Sequence, residues 1–272
     1  MAYLSQMATP PEIELLICCA RTHIDAGTRE KIRTLVAKDL DWAYLIRKAW
    51  RQGITPLLYL GLGATLPRSV PTRVLETLRS SFHANAARNL FLGGELIKLM
   101  DLFRSHAIPA IPYKGPALAV SVYQNLALRQ FSDLDLLVHT WDFHFRAQDL
   151  LIAHGWRRTS DYGWECGFVD SSGRVALDLH QGITDSGMPF RLGFERLWRR
   201  RASCSLAGAV IPTLAPSDGL IVLCAQLAKD VGTNRVQLAK LCDIAELVRI
   251  CVSLDWDRTI DEARRLGCFY IL

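Results

Sequence analysis

The sequence predicts an α+β protein, with a small mixed β-sheet in the middle of the chain and helical regions on either side. Three observations carry this. Over roughly the first hundred residues, apolar side chains recur at helical spacing. From residue 107 the pattern shortens: 107–113 reads as a short strand and the run SDLDLLV, ending at Val138, as a buried one. Further on, 162–169 and 175–180 flank a polar, Gly-containing turn over 170–173, the signature of a β-hairpin. After about Phe190 the chain reads as helical again. The expected division is 1–106, an N-terminal helical region; 107–190, an α/β core; and 191–272, a C-terminal helical region.

Thr9-Pro10-Pro11-Glu12 fits a capping box with proline in the first turn, opening a helix through Leu15, Ile17 and Ala20. A second helical region runs from about Thr28, an N-cap after Gly27, through Trp50; Ile32, Leu35, Leu40, Leu45 and Ile46 are among its apolar positions. Pro67 and Pro71 punctuate a loop. Over 72–106 the spacing predicts one long helix or two stacked ones, with Gly93-Gly94 as the weak point. Gly115-Pro116 starts a helix through Ala119 and Tyr123, proline being tolerated in a first turn. A helix over 142–154 follows the SDLDLLV strand. Pro216-Ser217-Asp218 marks a helix start before LIVLCAQLA. The final helix, 258–272, has no cap or polar tail. There is no repeat and no low-complexity segment.

At 272 residues, half of them hydrophobic and 22% charged, the chain has the composition of a globular protein with a full core. No apolar run approaches the ~18 residues of a membrane span, and Glu12 and Glu14 interrupt the N-terminal apolar stretch where a signal peptide would have none. The expected location is the cytoplasm. The eight cysteines are scattered without a C-x-x-C pair, which argues against a disulfide framework or a zinc site. A net charge of +5 permits an anionic substrate without requiring one.

The most informative segment is 114–138. On a strand, residues i and i+2 share a face, so Asp133 and Asp135 leave one side of an otherwise apolar element. Two unpaired carboxylates there repel each other and are poorly solvated. A divalent cation resolves that conflict; Mg²⁺ in particular is held by one or two carboxylates plus substrate phosphates. The strand therefore points to a metal-dependent phosphoryl-type site.

Lys114-Gly115, Arg129, Asp133-Leu134-Asp135 and Asp178-Leu179-His180, in that order, resemble the polymerase-β-like nucleotidyltransferase superfamily. The closer similarity is to its bacterial branch of uncharacterised nucleotidyltransferases, with a KG turn, a downstream Arg, a DxDLLV strand and a distal DLH. The likeness covers roughly 80–265 and is specific between Lys114 and His180. It implies a nucleotidyltransferase core that uses Mg²⁺ (or Mn²⁺) to move a nucleoside monophosphate from an NTP such as ATP to an acceptor, releasing pyrophosphate. Small molecules, proteins and RNA ends are all acceptors in the superfamily. The resemblance also implies that Asp178 is the third carboxylate beside Asp133 and Asp135, sharing a metal and helping to deprotonate the acceptor. The bland role for Asp178 is a hairpin-surface acid.

Gly115 sits where a strand turns into a helix, so backbone N–H groups there can approach a phosphate. The superfamily usually has Ser after this Gly; Pro116 supplies neither hydroxyl nor N–H. Lys114 can compensate as a point charge on the triphosphate, or it is an ordinary strand-end lysine. Arg129 either binds phosphate in bidentate fashion or holds one of the aspartates. Ser132 is a weaker candidate for a hydrogen bond to a carboxylate or phosphate. His180 alternates with Asp178 and has either a supporting or acceptor-contacting role, or is a satisfied core histidine.

Arg196, Arg199, Arg200 and Arg201 form a charge run, which on a helix end is usually solvated rather than RNA-binding. Asp243 resembles a recurrent Asp of the same branch and has no assigned role. A P-loop and a G-x-S-x-G motif are absent from the sequence. The competing reading is a nucleotide-binding or partner-binding protein with weak turnover, favoured by Pro116 and opposed by the intact Asp133, Asp135 and Asp178.

Overall fold

The structure, a computed structural model, describes residues 9–65, 69–183, 190, 192–233, 235–252 and 254–272. Pro67 of the expected loop lies outside them. The architecture is α+β, as expected. Helices α1 (Pro11–Cys19), α2 (Ala26–Val36), α3 (Trp42–Arg51), α4 (Thr55–Thr65) and α5 (Thr72–Ser105) precede the sheet. Then come β1 (Ala110–Pro112), α6 (Gly115–Val122), β2 (Asp133–Val138), α7 (Thr140–Asp142), α8 (Gln148–Ala153), β3 (Arg157–Asp161), β4 (Glu165–Val169) and β5 (Ala176–His180). Helix α9 (Phe194–Arg200), a hairpin of β6 (Ala202–Leu206) and β7 (Ala209–Thr213), α10 (Pro216–Gly232), α11 (Leu238–Ile250) and α12 (Trp256–Leu266) complete the chain.

The N-terminal caps differ from the expectation. Helix α1 starts after Pro10 without a side-chain cap, and Glu12 instead accepts a hydrogen bond from the Asp41 backbone N–H at 2.9 Å. The expected single region 28–50 is two helices, each opened by an aspartate whose carboxylate accepts from the backbone N–H three residues on, Asp25 from Thr28 and Asp41 from Tyr44. Helix α5 is one continuous element of 34 residues. Gly93 lies within it facing Leu206, whose methyl carbon is 3.5 Å from where a Cβ would sit, an ordinary contact distance.

The main sheet has the order β1-β2-β5-β4-β3, with β2 and β5 parallel and the other pairs antiparallel. Strand β1 is shorter than 107–113, and β4 begins at Glu165 rather than 162. Edge strand β3, polar throughout, has no apolar alternation to announce it. The helix expected over 142–154 begins at Thr140 and contains a π-helical turn, Phe143–Ala147. The region after Phe190 is not all helical. Ala207 and Gly208, both at positive φ, make the two-residue turn of the β6–β7 hairpin. The last helix ends at Leu266, where Gly267 adopts the left-handed conformation of a C-terminal cap.

Both faces of the sheet are covered. Leu134, Leu136 and Val138 of β2, with Leu177 and Leu179 of β5, pack against Leu92, Leu96, Leu99 and Phe103 of α5. On the other face Ile111 and Leu137 join Leu197 of α9, Ile221 and Val222 of α10, and Ala263 of α12. A third core joins α1–α4 to Val122 and Tyr123 and to Leu220 and Leu247 of α10 and α11. Because side chains alternate along β2, its leucines hold the strand down on α5 while Asp133 and Asp135 share the opposite face with Leu137.

The arginine run is not simply solvated. Arg196 and Arg200 pair with Asp218, which is fully buried in the first turn of α10, at 3.1 and 3.2 Å, and both also pair with Glu262 of α12. Arg201 stacks its guanidinium 3.9 Å above the Trp198 ring. The network docks α9 onto two C-terminal helices. Asp218→Ala, which leaves two guanidiniums short of a buried partner, is expected to cost on the order of 3 kcal/mol. Urea unfolding checks it: the midpoint falls at unchanged slope.

Candidate active site

The register places the polar residues together. Asp135 of β2 is directly opposite Asp178 of the parallel neighbour β5, and Glu165 of β4 is opposite His180. All four share the sheet face that carries Leu137. Asp135 and His180 are buried; Asp133, Asp178 and Glu165 are half-buried. Gly167, opposite Asp178, puts no side chain on this face.

The turn before α6 closes the other side. Gly115 has φ +52°, and a Cβ there would stand 3.1 Å from the carbonyl oxygen of Asp133. Glycine is thus required twice, for the left-handed backbone and for the close approach of the Asp133 strand. Helix α6 begins here with Pro116 in its first turn. Lys114, just before it, donates from Nζ to Asp135 Oδ1 at 2.9 Å and lies 5.1 Å from the Tyr113 ring centroid.

Charge on this face is finely balanced. Burial opposes ionisation of Asp135, yet Lys114 and then His180 hold its carboxyl well below the usual range. Burial and then the neighbouring Asp135 raise the carboxyl of Asp133, against the pull of Lys114. Asp178 is pushed up to about 6, by burial first and then by Asp135, Asp133 and Glu165. Burial lowers the Lys114 ammonium, but Asp135 outweighs it, so the group is raised and stays charged.

Among the described residues, Asp135, Asp178 and His180 each bring one donor atom within 4.8 Å of the others, a spacing compatible with a shared metal ion. The fit is supported by His180 itself. Its ring is 4% exposed, and neither nitrogen makes an aligned hydrogen bond. Two carboxylates and an imidazole form a donor set suited to a divalent cation. Asp133, two residues before Asp135 on the same face, is outside that set of three.

Arg129 is committed elsewhere. Its Nε and one terminal nitrogen donate to the two oxygens of buried Asp243, both at 2.9 Å, and the Tyr123 hydroxyl donates to the same carboxylate at 2.7 Å. This bidentate pair ties α11 to the segment before β2, which gives Asp243 a role in the structure. Ser132 is exposed, and its carbonyl accepts from Arg88 at 2.9 Å. Sequence reasoning passed over Glu165 and Trp164. Both line a cavity of about 150 Å³ beside the acids, together with Tyr113, Lys114, Gln226 and Lys229. The alternation of Glu165 and Gly167 with buried Cys166 and Phe168 was the available signal.

A family model described as uncharacterised nucleotidyltransferase matches residues 38–272. No curated protein matches the chain. Solved structures with a resembling fold include lincosamide antibiotic adenylyltransferase LnuA with lincomycin bound, at 15% identity, covering 54% of this chain and 95% of that one with a TM-score of 0.38. The antibiotic-resistance factor ANT(2'')-Ia is 12% identical over 64% of this chain and 96% of its own, with a TM-score of 0.42. An antigenic nucleotidyltransferase-like protein from Paracoccidioides brasiliensis is 15% identical over 61% and 78%, with a TM-score of 0.38. At these values nothing about activity passes from those structures to this chain.

The raised carboxyl of Asp178 has a measurable consequence in the metal-free protein. A folded-state value near 6, against 3.8 for an ordinary aspartate carboxyl, means the native state binds the extra proton between those pH values. Stability conferred by that proton is present below about pH 4 and is lost as pH rises through 6. Because solvent screens this half-buried carboxyl, Asp178→Asn is expected to be more stable than wild type by roughly 1 kcal/mol at pH 8 and nearly equal at pH 4. Denaturation at the two pH values in the presence of chelator checks this.

Proposed function

The chain belongs to the uncharacterised nucleotidyltransferase family and is a nucleotidyltransferase; from that premise we propose that it transfers a nucleoside monophosphate from an NTP to a hydroxyl-bearing acceptor. Asp133, Asp135 and Asp178 are the catalytic and metal-holding carboxylates of this reading, with Mg²⁺ or Mn²⁺ as the cation. Lys114, Gly115 and Ser132 form the nucleotide side, while Arg129, held in its pair with Asp243, braces the segment that leads into the Asp133 strand. The observation that carries it is the register of Asp135 opposite Asp178 beside the Lys114-Gly115 turn. Four acidic groups share this face and Lys114 pairs with only one of them, Asp135, so a further positive ligand among them is favourable.

A bound divalent cation would draw charge from the phosphate oxygens during transfer. The chain's own groups do the rest. Asp178 takes the proton of the acceptor hydroxyl. The acceptor oxygen then bonds to the α-phosphorus, the bond from that phosphorus to the bridging oxygen breaks, and pyrophosphate leaves. Lys114 pairs with Asp135 at 2.9 Å; with a cation held by Asp135 its ammonium would be placed to supply charge to the triphosphate. The Gly115 turn offers backbone N–H groups to the same phosphates.

In this reading the middle region, 107–190, supplies the chemistry and the flanking regions 1–106 and 191–272 supply the acceptor pocket, for a small molecule, a protein or an RNA. Free cysteines and an NTP donor suit the cytoplasm. No helix among the described residues is long and apolar enough to cross a membrane. Incubation with each of four NTPs, Mg²⁺ or Mn²⁺ and a cell extract is expected to release pyrophosphate. Asp135→Asn lowers that release by about 10³-fold or more. NTP binding without any release in wild type favours the weak-turnover alternative instead.

A further inference from the structure

His180 is placed in a way that neither a core histidine nor an ordinary surface ion pair explains. Its Nε2 lies 3.5 Å from Asp135 Oδ1 and its Nδ1 lies 3.4 Å from Glu165 Oε2. Both nitrogens are buried without an aligned hydrogen bond, a costly state for a polar ring. The ring is fixed by the edge of Tyr113, with centroids 5.4 Å apart, and by Trp164 at 5.7 Å. Two donors on one ion, each about 2.1 Å from it, stand roughly 3 to 3.4 Å apart. The Nε2–Asp135 separation is close to that spacing and too loose for a good hydrogen bond.

We propose that His180 is a metal ligand through Nε2, that Glu165 is the positioning residue that holds the Nδ1–H, and that the centre therefore prefers a first-row divalent cation such as Mn²⁺ over Mg²⁺. The proposal rests on the nucleotidyltransferase reading for its setting and deepens it. Mg²⁺ takes oxygen ligands almost exclusively, whereas an imidazole favours transition metals. A carboxylate on the far nitrogen of a ligating histidine fixes tautomer and ring orientation. Strand register supplies that partner here, since Glu165 of β4 is opposite His180 of β5. Asp135 and Asp178 complete the donor set, and the cavity of about 150 Å³ is lined by His180, Glu165 and Lys114 beside it.

The test uses the full chain loaded with Mn²⁺ alone, read by electron spin-echo envelope modulation. Wild type is expected to show nitrogen coupling from one imidazole, which ¹⁵N labelling of histidine alters. Mn²⁺ binds more tightly than Mg²⁺ in direct competition. His180→Gln loses the coupling and about 10- to 100-fold in Mn²⁺ affinity, with a smaller change for Mg²⁺. Glu165→Ala weakens Mn²⁺ binding, and Glu165→Gln, whose amide oxygen still accepts from Nδ1–H, restores most of it. Mn²⁺ bound in wild type without nitrogen coupling overturns the proposal, and needs no variant to fold. Pyrophosphate release that persists alongside that result leaves the transferase reading standing; absence of both metal binding and release sinks the two together.

Discussion

Like charges facing one another across a parallel strand pair are the constraint around which this protein is built. Asp135 and Asp178 stand in register on β2 and β5, with Asp133 and Glu165 close by on the same face. The leucines that alternate with them are committed to α5 and cannot be turned over without inverting the strand. The acids are held on one face by the same packing that stabilises the sheet. Lys114 offsets part of their repulsion, and burial together with the remaining like charge raises the carboxyl of Asp178.

Other charged groups are arranged to keep the frame rigid. Asp243 takes both Arg129 and Tyr123, and so joins α11 to the segment leading into the acidic strand. Asp218 and Glu262 take Arg196 and Arg200, and so join α9 to α10 and α12. In each case the partners lie far apart in sequence. Buried pairs of this kind add little net stability over apolar substitutes, but removing one partner is costly, so they specify which helices dock where.

The glycine at the turn links fold to chemistry. Gly115 must be glycine because its backbone is left-handed and because the Asp133 carbonyl passes 3.1 Å from the place of its missing side chain. The same requirement brings the start of α6 against the acidic strand. Pro116, next in the chain, offers neither a hydroxyl nor an N–H, and Lys114 supplies charge at the same corner.

The sheet strands β2 and β5, helices α5, α6 and α10, and the candidate carboxylates were legible in the sequence because each rests on local pattern. Alternation fixes a strand face, a Gly-Pro pair fixes a helix start, and helical spacing survives Gly93-Gly94. The β6–β7 hairpin and edge strand β3 were not legible, because one depends on a two-residue turn in a helical context and the other has no buried face to pattern. The Asp25 and Asp41 caps were outcompeted by a nearer threonine and a continuous apolar run. The partners of Arg129, Arg196, Arg200 and His180 could come only from the tertiary structure. A side chain's type limits what it can bind, but long-range register and helix docking decide which counter-charge it meets.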